Sequence, residues 1–181
     1  CQKNNIILIF DECTSGFRET FGGLHKKYNV EPDMMMLGKT LGNGYAITAV
    51  VGKEEIMKAA QETFISSTFW TERIGPVAAL KTLEVMEREK SWQKMTNTGK
   101  EIGNRWQALA EKYQLPIDIG GLPALVNFSL RVENWLKYKT LITQEMLKKG
   151  FLAANSVYVC TEHTEQVVDV YFNALDTVFS T

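Results

Sequence analysis

The chain has 181 residues, of which 45% are apolar and 23% charged, with a formal net charge of −1 and a pI near 6.2. That apolar content excludes a disordered chain and suffices for one ordinary core or two small ones, while the balanced charge offers no basic field for nucleic acid or an anionic membrane. No apolar run approaches the roughly 18 residues that span a bilayer and no signal peptide is recognised, so the expectation is a globular cytoplasmic protein.

Ile6 to Phe10 is a continuous apolar run rich in β-branched residues and predicts an interior strand of a parallel sheet, apolar on both faces. Asp11 then falls at the carboxyl edge of that strand, where open α/β sheets bind ligands. The same Asp also suits a loop or a helix N-cap, and Asp11-Glu12 together could form half of a paired-carboxylate hydrolase site or a Walker-B-like metal ligand. No Gly-x-x-x-x-Gly-Lys-Ser/Thr loop accompanies it.

Asn29 to Asp33 reads as a turn, and Met34-Met35-Met36-Leu37 as a second short apolar run whose methionines serve as core filler. It leads directly to Gly38-Lys39, and Gly42-Asn43-Gly44 permits a tight reversal before a further strand over 46–51. From residues alone Lys39 is either a solvated loop charge or an amine held for Schiff-base chemistry, which needs a fixed, partly dry lysine. Glu54 to Thr63 has helical composition, and Gly75 to Arg88 predicts a core-facing helix through Val77, Ala79, Leu80, Leu83 and Met86.

From Ser91 an amphipathic pattern (Trp92, Met95, Ile102, Trp106, Leu109, Ala110, Tyr113) predicts one long helix ended before Pro116 and bridging two domains. The remainder reads as a strand over 124–130, a helix over 133–149 closed by Gly150, an extended piece over 156–160, and a last helix over 164–179 with Thr164 as its N-cap. His163 lies near that helix start as a surface or capping residue. Three scattered cysteines (Cys1, Cys13, Cys160) and two histidines outline neither a disulfide framework nor a zinc site.

The segment Leu8-Ile9-Phe10-Asp11-Glu12-Cys13-Thr14-Ser15-Gly16-Phe17-Arg18, with Gly22-Gly23, Tyr28, Val30-Glu31-Pro32-Asp33, Leu37-Gly38-Lys39, Gly42-Asn43-Gly44 and 51–57, resembles class III aminotransferases, most of all their glutamate-1-semialdehyde aminomutase branch. The resemblance implies an α/β fold: the C-terminal part of a pyridoxal-phosphate-transferase large domain, mostly parallel sheet with helices, over 1–90, then a bridging helix and a small α+β C-terminal domain over 91–181. It implies a chain that is the C-terminal half of its protein, since the family's Gly/Ser-rich phosphate loop precedes this strand.

By the same resemblance Lys39 is the catalytic lysine that carries pyridoxal 5'-phosphate, Asp11 partners the pyridine nitrogen, Cys13 packs on the ring where the family usually has Val, and Thr68 binds the phosphate of a neighbouring subunit in a homodimer. The expected substrate is a small amino acid or amino-carbonyl compound, handled by an aminotransferase or an aminomutase. Trp70-Thr71-Glu72-Arg73 departs from the family's usual Gly-Asn-Pro, and Arg73 is either a carboxylate partner or an interface ion pair. The competing expectation is a catalytically dead, aminotransferase-derived module for dimerisation or interaction.

Overall fold

The computed structural model describes residues 1–66, 68–69 and 71–180. The chain divides into two compact units, Cys1–Trp92 and Gln93–Thr181. None of the described helices is long and apolar enough to cross a membrane.

In the first unit β1 (Ile9–Glu12) runs parallel to β2 (Met34–Leu37), which pairs antiparallel with β3 (Ala49–Gly52), in the order β1-β2-β3. β1 begins later than its apolar run predicts, because the Asp33 carboxylate takes the Leu8 amide at 2.8 Å and the ladder opens only at Ile9↔Met34. The expectation that this run is buried on both faces is corrected as well: Ile6 and Ile7, ahead of β1, and Ile9 within it are exposed. Met36 is exposed as well, so Leu37 is the residue of β2 that enters the core, beside Phe17, Leu41, Ala79 and Met86.

The crossover from β1 to β2 contains a single-turn helix, α1 (His25–Tyr28), closed by Asn29 in the left-handed region at φ 52°. One turn is too short to leave a periodic signal in sequence. The reversal between β2 and β3 does follow its residues. Asn43 and Gly44 both take positive φ, and a Cβ on Gly42 would lie 2.1 Å from the Tyr45 carbonyl oxygen.

After β3 comes α2 (Glu54–Met57), continued as a 3-10 helix through Glu62. α3 (Ile74–Glu89) buries Gly75, Ala79 and Met86, with Leu83 half-buried. Val77 and Leu80 were expected in the core and are instead 63% and 69% exposed, alongside Ile74. At 100° per residue the 75–79–83–86 stripe and the 74–77–80 row face opposite sides, and only the first meets this unit's core.

The boundary between units falls in the first turn of α4 (Ser91–Lys112), the long helix the pattern predicts. Its Met95, Ile102, Trp106 and Ala110 are buried in the second unit's core. Gln114, at φ 55°, turns the chain before Pro116. β4 (Ile117–Gly120) then pairs antiparallel with β5 (Asn127–Leu130). β4 was unforeseen, since a four-residue strand ending in glycine carries little period, and β5 starts late because Pro123–Leu125 forms a 3-10 turn.

The extended piece at 156–160 lies along the same chain segment, with the Val157 and Val159 amides donating to the carbonyls of Val126 and Ala124. α5 (Trp135–Lys148) is followed by Gly150 at φ 87°, and α6 (Glu165–Phe179) is capped by the Thr164 hydroxyl, which accepts from the Val167 amide. The core holds Trp106 and Phe128 edge to face at 4.8 Å, both fully buried. The Trp106 indole N–H donates to the Tyr171 hydroxyl at 2.9 Å, and burial pushes that phenol up to about 12.

Candidate active site

Because β1 and β2 are parallel, their carboxyl ends lie at one edge of the sheet, and the segments that leave there carry most of the residues singled out from sequence. Asp11 is the third residue of β1, opposite Met36, and its carboxylate is exposed. One oxygen, Oδ1, accepts from the Cys13 amide at 3.0 Å; the other has no hydrogen-bond partner among the described residues. Successive side chains of a strand point to opposite faces, so Glu12 is turned inward and buried. That alternation is incompatible with Asp11 and Glu12 acting as a carboxylate pair on one ligand.

Lys39 lies just past β2, with an exposed side chain and φ 33°, a left-handed backbone that costs a residue with a side chain about 1–3 kcal/mol. The surroundings over-determine it. The Leu41 amide donates to the Gly38 carbonyl at 2.8 Å and the Asn43 amide to the Lys39 carbonyl at 3.1 Å. A Cβ on Gly38 would lie 2.6 Å from the Cys13 sulfur, so the glycine lets the two segments approach closely. Cys13 is a half-buried free thiol at that contact.

The Lys39 Nζ donates to the Thr14 hydroxyl. Thr14 in turn sits on a firmly bonded turn: the buried Arg18 donates through Nε to the Thr14 carbonyl at 2.6 Å, the Gly16 amide donates to the Glu12 carbonyl at 2.8 Å, and Ser15 donates to the Glu12 carboxylate at 2.8 Å. Asp11, Cys13, Thr14 and Lys39 therefore form one cluster. Thr14 and Arg18 belong to the sequence motif but gain a role only here, because a buried cation needs a hydrogen-bond partner and Arg18 finds it in the Thr14 backbone.

Thr68 lies on an exposed turn before α3, with no hydrogen bond to Asp11, Cys13 or Lys39 among the described residues. Expectations that touch Ser67 and Trp70 lie outside the described residues. At the start of α3 the Glu72 carboxylate accepts from the amides of Ile74 at 2.6 Å and Gly75 at 3.0 Å, while Arg73 is exposed. His163 caps its turn, its Nδ1 accepting from the Cys160 amide at 3.0 Å.

Residues 1–167 match the family described as Aminotransferase class-III. The chain is 35% identical over 166 residues to 3-aminobutyryl-CoA aminotransferase of Cloacimonas acidaminovorans, covering 88% of this chain and 40% of that protein. It is 28% identical to glutamate-1-semialdehyde 2,1-aminomutase of Methanocaldococcus jannaschii, covering 98% of this chain and 46% of the other. Among solved structures it resembles the PLP internal aldimine form of the FumI protein of Sphingopyxis sp. MTA144, with a TM-score of 0.93 at 22% identity, over 99% of this chain and 44% of that one. The chain thus spans less than half the length of these relatives.

Proposed function

The chain belongs to the class-III aminotransferase family, and we propose that it carries the lysine-bearing part of a pyridoxal-phosphate-dependent enzyme that moves an amino group. The observation that supports this most is the placement of the Lys39 amine and the Asp11 carboxylate at the same edge of the β1/β2 pair, one on a constrained turn and the other with an oxygen left unengaged among the described residues.

The donor set fits pyridoxal phosphate: an amine, a carboxylate, hydroxyls, and a thiol packed against glycine. When bound, that group supplies an electron sink for charge developing at the substrate's α-carbon. Lys39 would hold it and, once released, take and return the proton at that carbon. Asp11 would keep the proton on the pyridine nitrogen, since a nearby carboxylate favours the cationic form. Cys13 would pack beside the ring. Thr68, exposed on its turn, would serve the phosphate held by a second copy, which makes a homodimer part of this reading.

On the same reading, residues 1–90 close the cofactor-binding large domain and 91–181 form the bridging helix and small domain of a cytoplasmic enzyme. The substrate is a small amino acid or amino-carbonyl compound. A relative named as an aminotransferase matches at 35% identity and one named as an aminomutase at 28%, which supports amino transfer and does not single out the aminomutase branch. The retained Lys39 and Asp11 support catalysis over a dead interaction module.

Borohydride reduction of the protein loaded with pyridoxal phosphate, followed by peptide mass spectrometry, tests the reading. A pyridoxyl group on Lys39 is expected. Labelling at other lysines with none at Lys39 would overturn it. Dependence of turnover on an added oxo-acid acceptor then separates aminotransferase from aminomutase.

A further inference from the structure

We infer that Thr14 is a positioning residue for Lys39: its hydroxyl holds the lysine amine at the carboxyl edge of β1, on a turn that Arg18 locks in place. The inference rests on the reading of Lys39 as the cofactor-bearing lysine and adds to it a group that the motif alone leaves without a role. A lysine side chain has four rotatable bonds, and an exposed one ordinarily samples many rotamers. Here the amine is tied to a hydroxyl contributed by a different strand's exit segment.

Both ends of that tie are fixed. On one side the buried Arg18 donates to the Thr14 carbonyl at 2.6 Å, and Phe17, itself buried and at φ 63°, anchors the turn through its amide's 2.6 Å bond to the Gly22 carbonyl. On the other side the Lys39 backbone is confined at φ 33° by the bonds across 38–43 and by the contact of Gly38 with the Cys13 sulfur. The bond to the Thr14 carbonyl fixes the backbone from which the hydroxyl projects. Oriented in this way, the hydroxyl offers its oxygen toward the amine, so the reactive nitrogen is presented from one direction before any ligand arrives.

The test reads the amine directly, in the ligand-free chain, by competitive labelling with a trace of isotopic acetic anhydride and peptide mass spectrometry, with the exposed Lys100 as internal reference. Freeing the amine from a hydrogen bond in Thr14→Val should raise labelling of Lys39 relative to Lys100 by about two- to tenfold. Thr14→Ser, which restores the hydroxyl, should return the ratio to within about twofold of the original. Should Thr14→Val fail to fold by circular dichroism, Thr14→Ala makes the same comparison with a smaller side chain. An unchanged ratio in the folded hydroxyl-free variant, or an equal rise in Thr14→Ser, overturns the role of Thr14. The borohydride experiment is independent of this: a flat labelling ratio with pyridoxyl still on Lys39 removes only Thr14, whereas loss of pyridoxyl from Lys39 removes the functional reading itself.

Discussion

The amine of Lys39 and the hydroxyl of Thr14 meet across 25 positions of sequence, and they do so because β1 and β2 run parallel and release their chains at the same edge. An antiparallel pairing of the same two strands would have placed Lys39 at the opposite edge from Thr14. On the proposed function, replacing Lys39 by Arg keeps the charge but removes the amine that would take up and return a proton. Turnover of the complete enzyme is expected to fall by about 10²- to 10⁴-fold or more, with no pyridoxyl group recovered at position 39 after reduction. Steady-state kinetics with peptide mapping checks both.

Asp11→Asn separates cofactor attachment from electronic support. On the proposed function, the substitution leaves Lys39 in place but replaces the carboxylate by a neutral amide and so removes the charge that would favour a protonated pyridine. An opposite charge about 4 Å away in a surface-like medium is worth roughly 4 kcal/mol, so turnover should drop by about 10³-fold while reductive labelling of Lys39 survives. Equal activity in the variant would remove Asp11 from the mechanism.

Asp33 links pH to the first unit's stability. The Leu8 amide, and then the Lys53 ammonium, hold its carboxyl below its ordinary value near 4. A carboxyl depressed in the folded state stabilises above its unfolded value and loses that contribution as pH falls through the folded one. Asp33→Asn should therefore lower Tm at pH 7, and the gap from the parent should close as the pH drops below about 4. Thermal melts across that range read it.

Tyr171→Phe removes the acceptor for the indole N–H of Trp106, whose side chain is fully buried. A buried donor left without a partner costs about 1–3 kcal/mol, while the ring packing is retained. Urea unfolding followed by tryptophan fluorescence should show that loss in the second unit.

Gly99→Ala tests how closely α4 approaches the loop before β5. A methyl there would lie 1.8 Å from the Pro123 carbonyl oxygen, so helix and loop must separate. The better helix propensity of alanine cannot offset this, and destabilisation of about 1–3 kcal/mol or more is expected by the same unfolding measurement.

Much of this architecture could be read from residues one segment at a time. The Met34–Leu37 strand, the reversal at Gly42–Gly44, the long helix from Ser91, the Gly150 stop and the Thr164 cap all depend on local chemistry: a short apolar run, positive φ, sustained helical period, a capping hydroxyl. What escaped depends on partners distant in sequence. Ile6–Leu8 is as apolar as β1 itself, yet Asp33 takes the Leu8 amide and delays the ladder. Val77 and Leu80 fit a helical core pattern, yet the face that meets this unit's core is the one bearing Gly75, Ala79 and Met86.

The candidate site divides in the same manner. Sequence by itself determined which residues are candidates for the chemistry, because an amine, a carboxylate and a motif around them are properties of the chain's letters. Only the tertiary structure decided that Asp11 points outward while Glu12 is buried, that Gly38 touches the Cys13 sulfur, and that Thr14 rather than a closer neighbour receives the Lys39 amine. Those relations follow from strand direction and register, which are set by pairing between segments and leave no mark in the composition of either one.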